Sequence, residues 1–399
     1  MPDGGGAAPF LPYGRQTIEA DDLDAVAQAL GADFLTTGPL VERFEAAFAK
    51  AVGAEHAVVC SNGTTALHLA VEAAGVGPGD VCVVPSITFV ATANAVRYQG
   101  GEPVFADVDP DSGLMTAETL AEALARCAGR RVKAVLPVHL TGAAVDVPAV
   151  RLLADGVGAA VIEDACHAVG TDTAWGPVGS CRASAMACFS FHPVKTLTTG
   201  EGGAVTTDDA VLAARMRRMR SHGLEREAAA LGEDFAVDGG APAPWAYEQR
   251  ELGWNYRLPD LNCALGLAQL SKLPRFVARR RTLAARYAEA LAPLAPLVRP
   301  AAVPEGCDPA LHLMVALIDF EAAGRSRREV MGGLKARGIG TQVHYIPVHR
   351  QPYYRARGEA RLPGADAWYA RCLSLPLYPA MGEDDPARVA DALAAVLGA

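Results

Sequence analysis

Apolar runs and helical periodicities take turns through the first two thirds of this chain, and that alternation admits few folds. Strand-like runs fall at 57–60, 81–84, 103–106, 132–138, 159–163, 185–191 and 203–207. Helix-like segments at 19–30, 40–51, 64–74, 88–98, 116–127 and 146–155 precede and separate them. This order predicts an α/β fold with a mostly parallel seven-stranded sheet and helices on both faces. Ligands of such sheets collect at the carboxyl ends of the strands. The residues just past each apolar run are therefore where chemistry is expected.

Three such places stand out. The run 185–191 leads into Ser190-Phe191-His192-Pro193-Val194-Lys195, with Gly200, Gly202 and Gly203 close behind. Lysines usually sit on solvated faces. One set among apolar and small residues loses its proton more readily, because desolvation disfavours the ammonium form. A neutral amine can form a Schiff base with an aldehyde cofactor. The strand at 159–163 ends in Glu163-Asp164-Ala165-Cys166-His167. A carboxylate placed like Asp164 can keep a pyridine nitrogen protonated, and His167 can stack on or hydrogen-bond the ring. Alone, Asp164 reads equally well as a helix N-cap, and His167 reads better as a satisfied helix histidine. The strand at 57–60 is followed by Ser61-Asn62-Gly63-Thr64-Thr65 and then a helix. Free N–H groups at a helix start favour a phosphate, with Gly63 allowing close approach and Ser61, Thr64 and Thr65 adding hydroxyls. Alone, this segment reads as an ordinary capped helix. It is not a P-loop, because no Gly-Lys-Ser/Thr follows.

Together the segments Asn62-Gly63-Thr64-Thr65-Ala66-Leu67, Ile162–Ala168 and Ser190–Lys195 resemble the DegT/DnrJ/EryC1/StrS sugar aminotransferases, from about Phe10 to about residue 395. The resemblance implies the fold-type I architecture of enzymes that use pyridoxal 5′-phosphate, cycling through pyridoxamine 5′-phosphate. It implies Lys195 and Asp164 as catalytic residues. It implies Gly63, Thr64, Thr65, Phe89, His167, Ser190 and Asn255 as further cofactor contacts: Phe89 against the ring, Ser190 on the phosphate, Asn255 reaching the phosphate of a neighbouring subunit. A homodimer with shared active sites follows. Tyr13-Gly14-Arg15-Gln16, Phe34–Pro39 and Gln342–His349 are similar to the branch of the family in pseudaminic acid biosynthesis. That similarity implies a UDP-linked 4-keto-6-deoxy-N-acetylhexosamine as acceptor, L-glutamate as donor, and His344, Tyr345 and His349 as sugar-nucleotide contacts. The alternatives are another 3- or 4-keto nucleotide sugar, or a non-catalytic paralogue. Dehydratases of the family carry histidine where Lys195 stands. No dinucleotide fingerprint follows a strand, which disfavours a nicotinamide-dependent enzyme.

The rest of the chain sets limits. At 399 residues it has length for two domains, and a net charge of −9 disfavours nucleic acid and acidic membranes as partners. The nine cysteines form no CxxC pair and no metal-ligand spacing, which suggests reduced core thiols in a cytoplasmic protein and no metal. No apolar stretch is long enough to span a membrane, and no signal peptide is apparent. We expect a flexible N-terminus at 1–12 and a large cofactor-binding domain at 13–259, containing a long loop at 224–252. A linking helix from 260 to about 292, broken near Pro274, and a small α/β domain would complete residues 260–399. That domain should hold a strand at 311–319 and helices at 326–337 and 384–397.

Overall fold

The computed structural model of the chain describes residues 9–227, 231, 237–238, 241–358 and 360–398. Two helices, α1 (Ala20–Leu30) and α2 (Pro39–Val52), come first. Then follow β1 (His56–Cys60), α3 (Gly63–Ala73), β2 (Val81–Pro85), α4 (Val90–Tyr98), β3 (Glu102–Ala106) and α5 (Ala117–Ala125). Next come β4 (Val132–Val135), α6 (Val147–Asp155), β5 (Ala160–Asp164), the short β6 (Asp172–Thr173), β7 (Met186–Ser190), β8 (Gly203–Thr207) and α7 (Ala210–Met219). The main sheet has seven strands in the order β1-β8-β7-β5-β4-β2-β3. All its neighbouring pairs are parallel except those of β8, which is antiparallel to both β1 and β7. The expected α/β architecture is present, with one strand reversed.

The strands are apolar on both sides because both sides are covered. Along β2 every residue is buried, and successive side chains join different cores: Val81 and Val83 pack on one face, Cys82 and Val84 on the other. β8 turns back between β1 and β7. Its first residue, Gly203, pairs with Cys60 on one side and Ser190 on the other. A Cβ at Gly203 would lie 2.5 Å from the Asn62 carbonyl oxygen and 2.8 Å from that of Phe189. Three backbones meet there with no room for a side chain. The start of α3 and the end of β7 are thereby fixed against one another.

Two short antiparallel ladders order the described part of the expected loop. They join β9 (Leu224–Glu225) to β12 (Glu248–Gln249), and β10 (Val237–Asp238) to β11 (Ala241–Pro242). Residues 228–230, 232–236 and 239–240 of that loop lie outside the described residues, as do residues 1–8 of the expected flexible N-terminus. Leu11 corrects the expectation for 9–12. It exchanges main-chain hydrogen bonds with Gly338 and Gly340 and is 4% exposed within the C-terminal core.

The long helix α8 (Asp260–Leu291) runs through Pro274 without a break. A proline deprives a helix of one hydrogen bond. Here side-chain ties beside it hold the course: Lys272 pairs with Asp21 and Asp22, and Gln269 donates to Asp22 and to the Thr17 carbonyl. Beyond α8 come β13 (Val298–Pro300), β14 (Cys307–Asp308), β15 (Met314–Ile318), α9 (Arg327–Ala336), α10 (Pro352–Arg355), α11 (Pro363–Arg371), β16 (Cys372–Leu375) and α12 (Asp385–Leu397). β13, β15 and β16 form an antiparallel sheet. Val315 and Leu317 of β15 join the core of the large sheet, while Met314, Ala316 and Ile318 pack with α9 and α12. One period-two strand thus seals the two sheets together. All nine cysteines are unpaired. Among the described residues, no helix is long and apolar enough to cross a membrane.

Gly203→Ala should destabilise the fold by about 1–3 kcal/mol, the usual cost of overpacking a tight core. Equilibrium denaturation measures this, and an unchanged midpoint would mean that Asn62 moves aside freely.

Candidate functional site

A cavity of about 440 Å³ opens where the carboxyl ends of β1, β2, β5 and β7 converge. The geometry follows from the strand order, since the loop after each of these strands begins on the same edge of the sheet.

The first wall is the start of α3. Asn62 caps this helix reciprocally with Thr65: Asn62 Oδ1 accepts from the Thr65 N–H (2.9 Å), and Thr65 Oγ1 accepts from the Asn62 N–H (3.1 Å). The Ala66 N–H goes to the Asn62 carbonyl. Among the described residues, the amides of Gly63 and Thr64 are left without a protein acceptor. Both residues line the cavity. A Cβ at Gly63 would lie 2.7 Å from Ser190 Cβ and 3.3 Å from Cys166 Sγ, so the absent side chain lets all three loops close up. Gly63, Thr64 and Ser190 could together hold a phosphate. Thr65, expected beside them, is turned away: its hydroxyl is spent on Asn62 and Ser61, and the residue does not line the cavity.

Asp164 ends β5, 5% exposed, with both carboxylate oxygens engaged. Thr92 Oγ1 donates to Oδ2 (2.6 Å) and the Cys166 N–H donates to Oδ1 (3.2 Å). Lone pairs remain on both oxygens for a further donor. The neighbouring Glu163 points to the other face of the strand and is satisfied by His139 and Ser184. Alternation along β5 thus separates a structural carboxylate from the one in the cavity.

Lys195 follows β7 in a turn closed by its own N–H on the His192 carbonyl (2.9 Å). The residue is partly accessible through the cavity, yet enough protein surrounds its amine for desolvation to lower its pKa below the ordinary lysine value. Cys166 and Asp164 oppose that shift. Burial raises the Cys166 thiol well above its usual range, so at neutral pH the thiol itself brings no charge to Lys195. Among the described residues, no hydrogen bond or ion pair engages the Lys195 amine.

The far wall is aromatic. Phe89 caps α4, 56% exposed, with its ring 6.0 Å from that of Tyr345. It is a cavity residue and not a core residue. The Tyr345 hydroxyl meets His167 Nε2 at 3.2 Å, and His312 packs on His167 at 4.5 Å. His344 bonds Ser374 through Nδ1 (2.7 Å). Burial depresses all three histidines, with His344 at about 3 and His167 and His312 well below the normal value, so they are neutral rings at physiological pH.

Of the residues expected from sequence, Gly63, Thr64, Phe89, Asp164, His167, Ser190, Lys195, His344 and Tyr345 line this one cavity. His349 does not: it is buried against Ser86 (2.6 Å). Asn255 is exposed on the surface, bridged to Ser221, and also stands outside the cavity. Tyr13, Asn62, His192, Glu201 and His312 line it without having been singled out. Thr92 was equally silent, although it lies three residues after Phe89 in a segment already marked.

Comparisons with known proteins agree on one family. The DegT/DnrJ/EryC1/StrS aminotransferase family matches residues 16–394. The chain is similar to the solved structure of DesI with its TDP-sugar product (36% identity, 98% of this chain and 95% of that one, TM-score 0.84). It is also similar to the aminotransferase TlmJ from Streptoalloteichus hindustanus (32%, 98% and 99%, TM-score 0.86). A third similar structure is Helicobacter pylori PseC, an aminotransferase involved in the biosynthesis of pseudaminic acid (27%, 98% and 99%, TM-score 0.87). With the match running almost from end to end, the chain belongs to the DegT/DnrJ/EryC1/StrS aminotransferase family.

Proposed function

We propose that this chain is a pyridoxal-phosphate-dependent aminotransferase that moves an amino group from L-glutamate to a nucleotide-linked keto sugar. The observation that carries this reading is the meeting, in one cavity, of Lys195, Asp164 and the Gly63–Thr64–Ser190 cradle. The donors fit the cofactor: unpaired amides and a hydroxyl for its phosphate, a doubly supported carboxylate for its ring nitrogen, Phe89 for its ring face, and a desolvated amine for its aldehyde. Bound pyridoxal phosphate supplies a carbonyl that carries the amino group and a ring that takes up electrons.

The protein's own part is positioning and proton transfer. Asp164, held by Thr92, would hold the ring nitrogen of the bound cofactor and keep a proton on it. Lys195 removes the proton from glutamate Cα and returns one to the sugar carbon. Its lowered pKa places its proton affinity closer to neutrality, where a general base works best. The neutral His167 and Tyr345 pair offers hydrogen bonds without adding a competing cation.

For the acceptor we propose C4 of a UDP-linked 4-keto-6-deoxy-N-acetylhexosamine, UDP-2-acetamido-2,6-dideoxy-β-L-arabino-hex-4-ulose, in pseudaminic acid biosynthesis. The similarity to PseC and the His344-Tyr345 pair in the cavity support it. The greater identity to DesI, solved with a TDP-sugar product, favours a second reading: a TDP-linked keto sugar. We also propose a homodimer in which Asn255, exposed and outside its own cavity, reaches the phosphate of the partner site.

Lys195→Ala should keep cofactor binding and lose about 10²–10⁴-fold in transamination rate. Wild-type turnover in that variant would remove Lys195 from the chemistry. Asp164→Asn should lower kcat roughly 10–100-fold, the equivalent of one charged hydrogen bond; an unchanged rate would exclude the ring-nitrogen role. A panel of UDP- and TDP-linked keto sugars with glutamate, read by NMR, should show amination at C4 of the UDP-linked N-acetylhexosamine. Turnover confined to TDP-sugars would favour the second reading, and no turnover with any keto sugar would overturn both.

A further inference from the structure

Behind the Lys195 loop lies a second, much smaller cavity, of about 10 Å³. It has the space of roughly one water-sized particle. Lys195 is the one residue that lines both cavities. Three buried polar atoms border the small one without any hydrogen-bond partner: Arg280 Nε, Thr196 Oγ1 and Thr17 Oγ1. They come from α8, from the turn after Lys195 and from the segment before α1. Arg280 is 1% exposed and Thr196 is 5% exposed.

Arg280 is the unusual group. Its guanidinium donates to the main-chain carbonyls of Leu311, His312 and Leu377 and, among the described residues, forms no ion pair. Burial pulls its pKa down to about 10, which still leaves it charged at neutral pH. Neutral carbonyls offset a buried charge only in part. The same small cavity is also lined by Arg15 and Lys195, and no aspartate or glutamate lines it. Arg15 and Arg280 thus bring positive charge to the lining, the buried Asp22 beside the lining residue Gln269 is paired with Lys272, and the three unpartnered atoms can all act as donors.

We propose that this cavity is a halide site, holding one chloride between Arg280, Thr196 and Thr17. The space is that of a water-sized particle, too small for phosphate, sulfate or a carboxylate, and a chloride, somewhat wider than water, is seated when the side lined by the exposed Arg15 and Gln16 gives slightly. A chloride accepts from the Arg280 Nε–H and from both hydroxyls, and supplies the negative charge that a water molecule would not. It ties α8 to the loop that carries Lys195, so its occupancy stabilises the fold behind the active cavity without entering it.

Two measurements on the full chain test this. In crystals grown with bromide, an anomalous peak within hydrogen-bond reach of Arg280 Nε and Thr196 Oγ1 is expected; an ordered water there with no anomalous signal would overturn the site. In solution, about 200 mM chloride against equal gluconate should raise the thermal midpoint by about 2–4 °C. Thr196→Val, a mild change in shape, should erase most of that increment and keep a folded protein. Equal midpoints of the wild-type chain in the two salts would also sink the proposal.

Discussion

Three backbones pass so closely at Gly203 that no side chain fits between them, and the site depends on that contact. β8 is the reversed strand of the sheet, and its first residue lies in register with the last residues of β1 and β7. The start of α3 and the loop bearing Lys195 are therefore neighbours by construction. Gly63 repeats the device one step further out, letting Ser190 and Cys166 approach the first turn of the helix. Two missing side chains set the distance between a pair of free amides and a lysine distant in sequence.

Around that frame the electrostatics are sparse. Besides Glu201 and His192, the cavity wall carries one carboxylate supported on both oxygens, one desolvated amine, and three histidines, His167, His312 and His344, held neutral by burial. Each choice limits the charges that can compete with a bound anion or with a proton in transit. Glu163, next to the working carboxylate, is kept away by strand alternation and absorbed by His139 and Ser184. The small cavity behind the loop differs, with Arg15 and Arg280 in its lining and no acidic residue there.

Much of this was legible in the sequence because local signals coincided with sheet physics. Apolar runs marked strands, and the polar residues after them landed at carboxyl ends, which brought Gly63, Asp164, Ser190 and Lys195 together. What sequence could not separate was the direction of a hydroxyl. Thr64 and Thr65 look alike on paper, but capping claims Thr65 and leaves Thr64 at the cavity. Tyr13 and His312 reach the site only through packing of distant segments, so no local spacing announced them. His349 shares a motif with His344 but turns into the core against Ser86. Pro274 suggested a break in α8, yet the helix runs through it with Lys272 two residues away paired to Asp21 and Asp22, and Leu11 looked like tail but packs in the C-terminal core beside Gly338 and Gly340.

The family membership fixes the broad chemistry, and the proposed cofactor attachment narrows it to one atom, the Lys195 amine. Borohydride reduction of the protein loaded with pyridoxal phosphate, followed by peptide mapping, addresses that atom directly. The expected result is a single phosphopyridoxyl label at Lys195. A label at any other lysine, in a preparation that still transaminates, would contradict it.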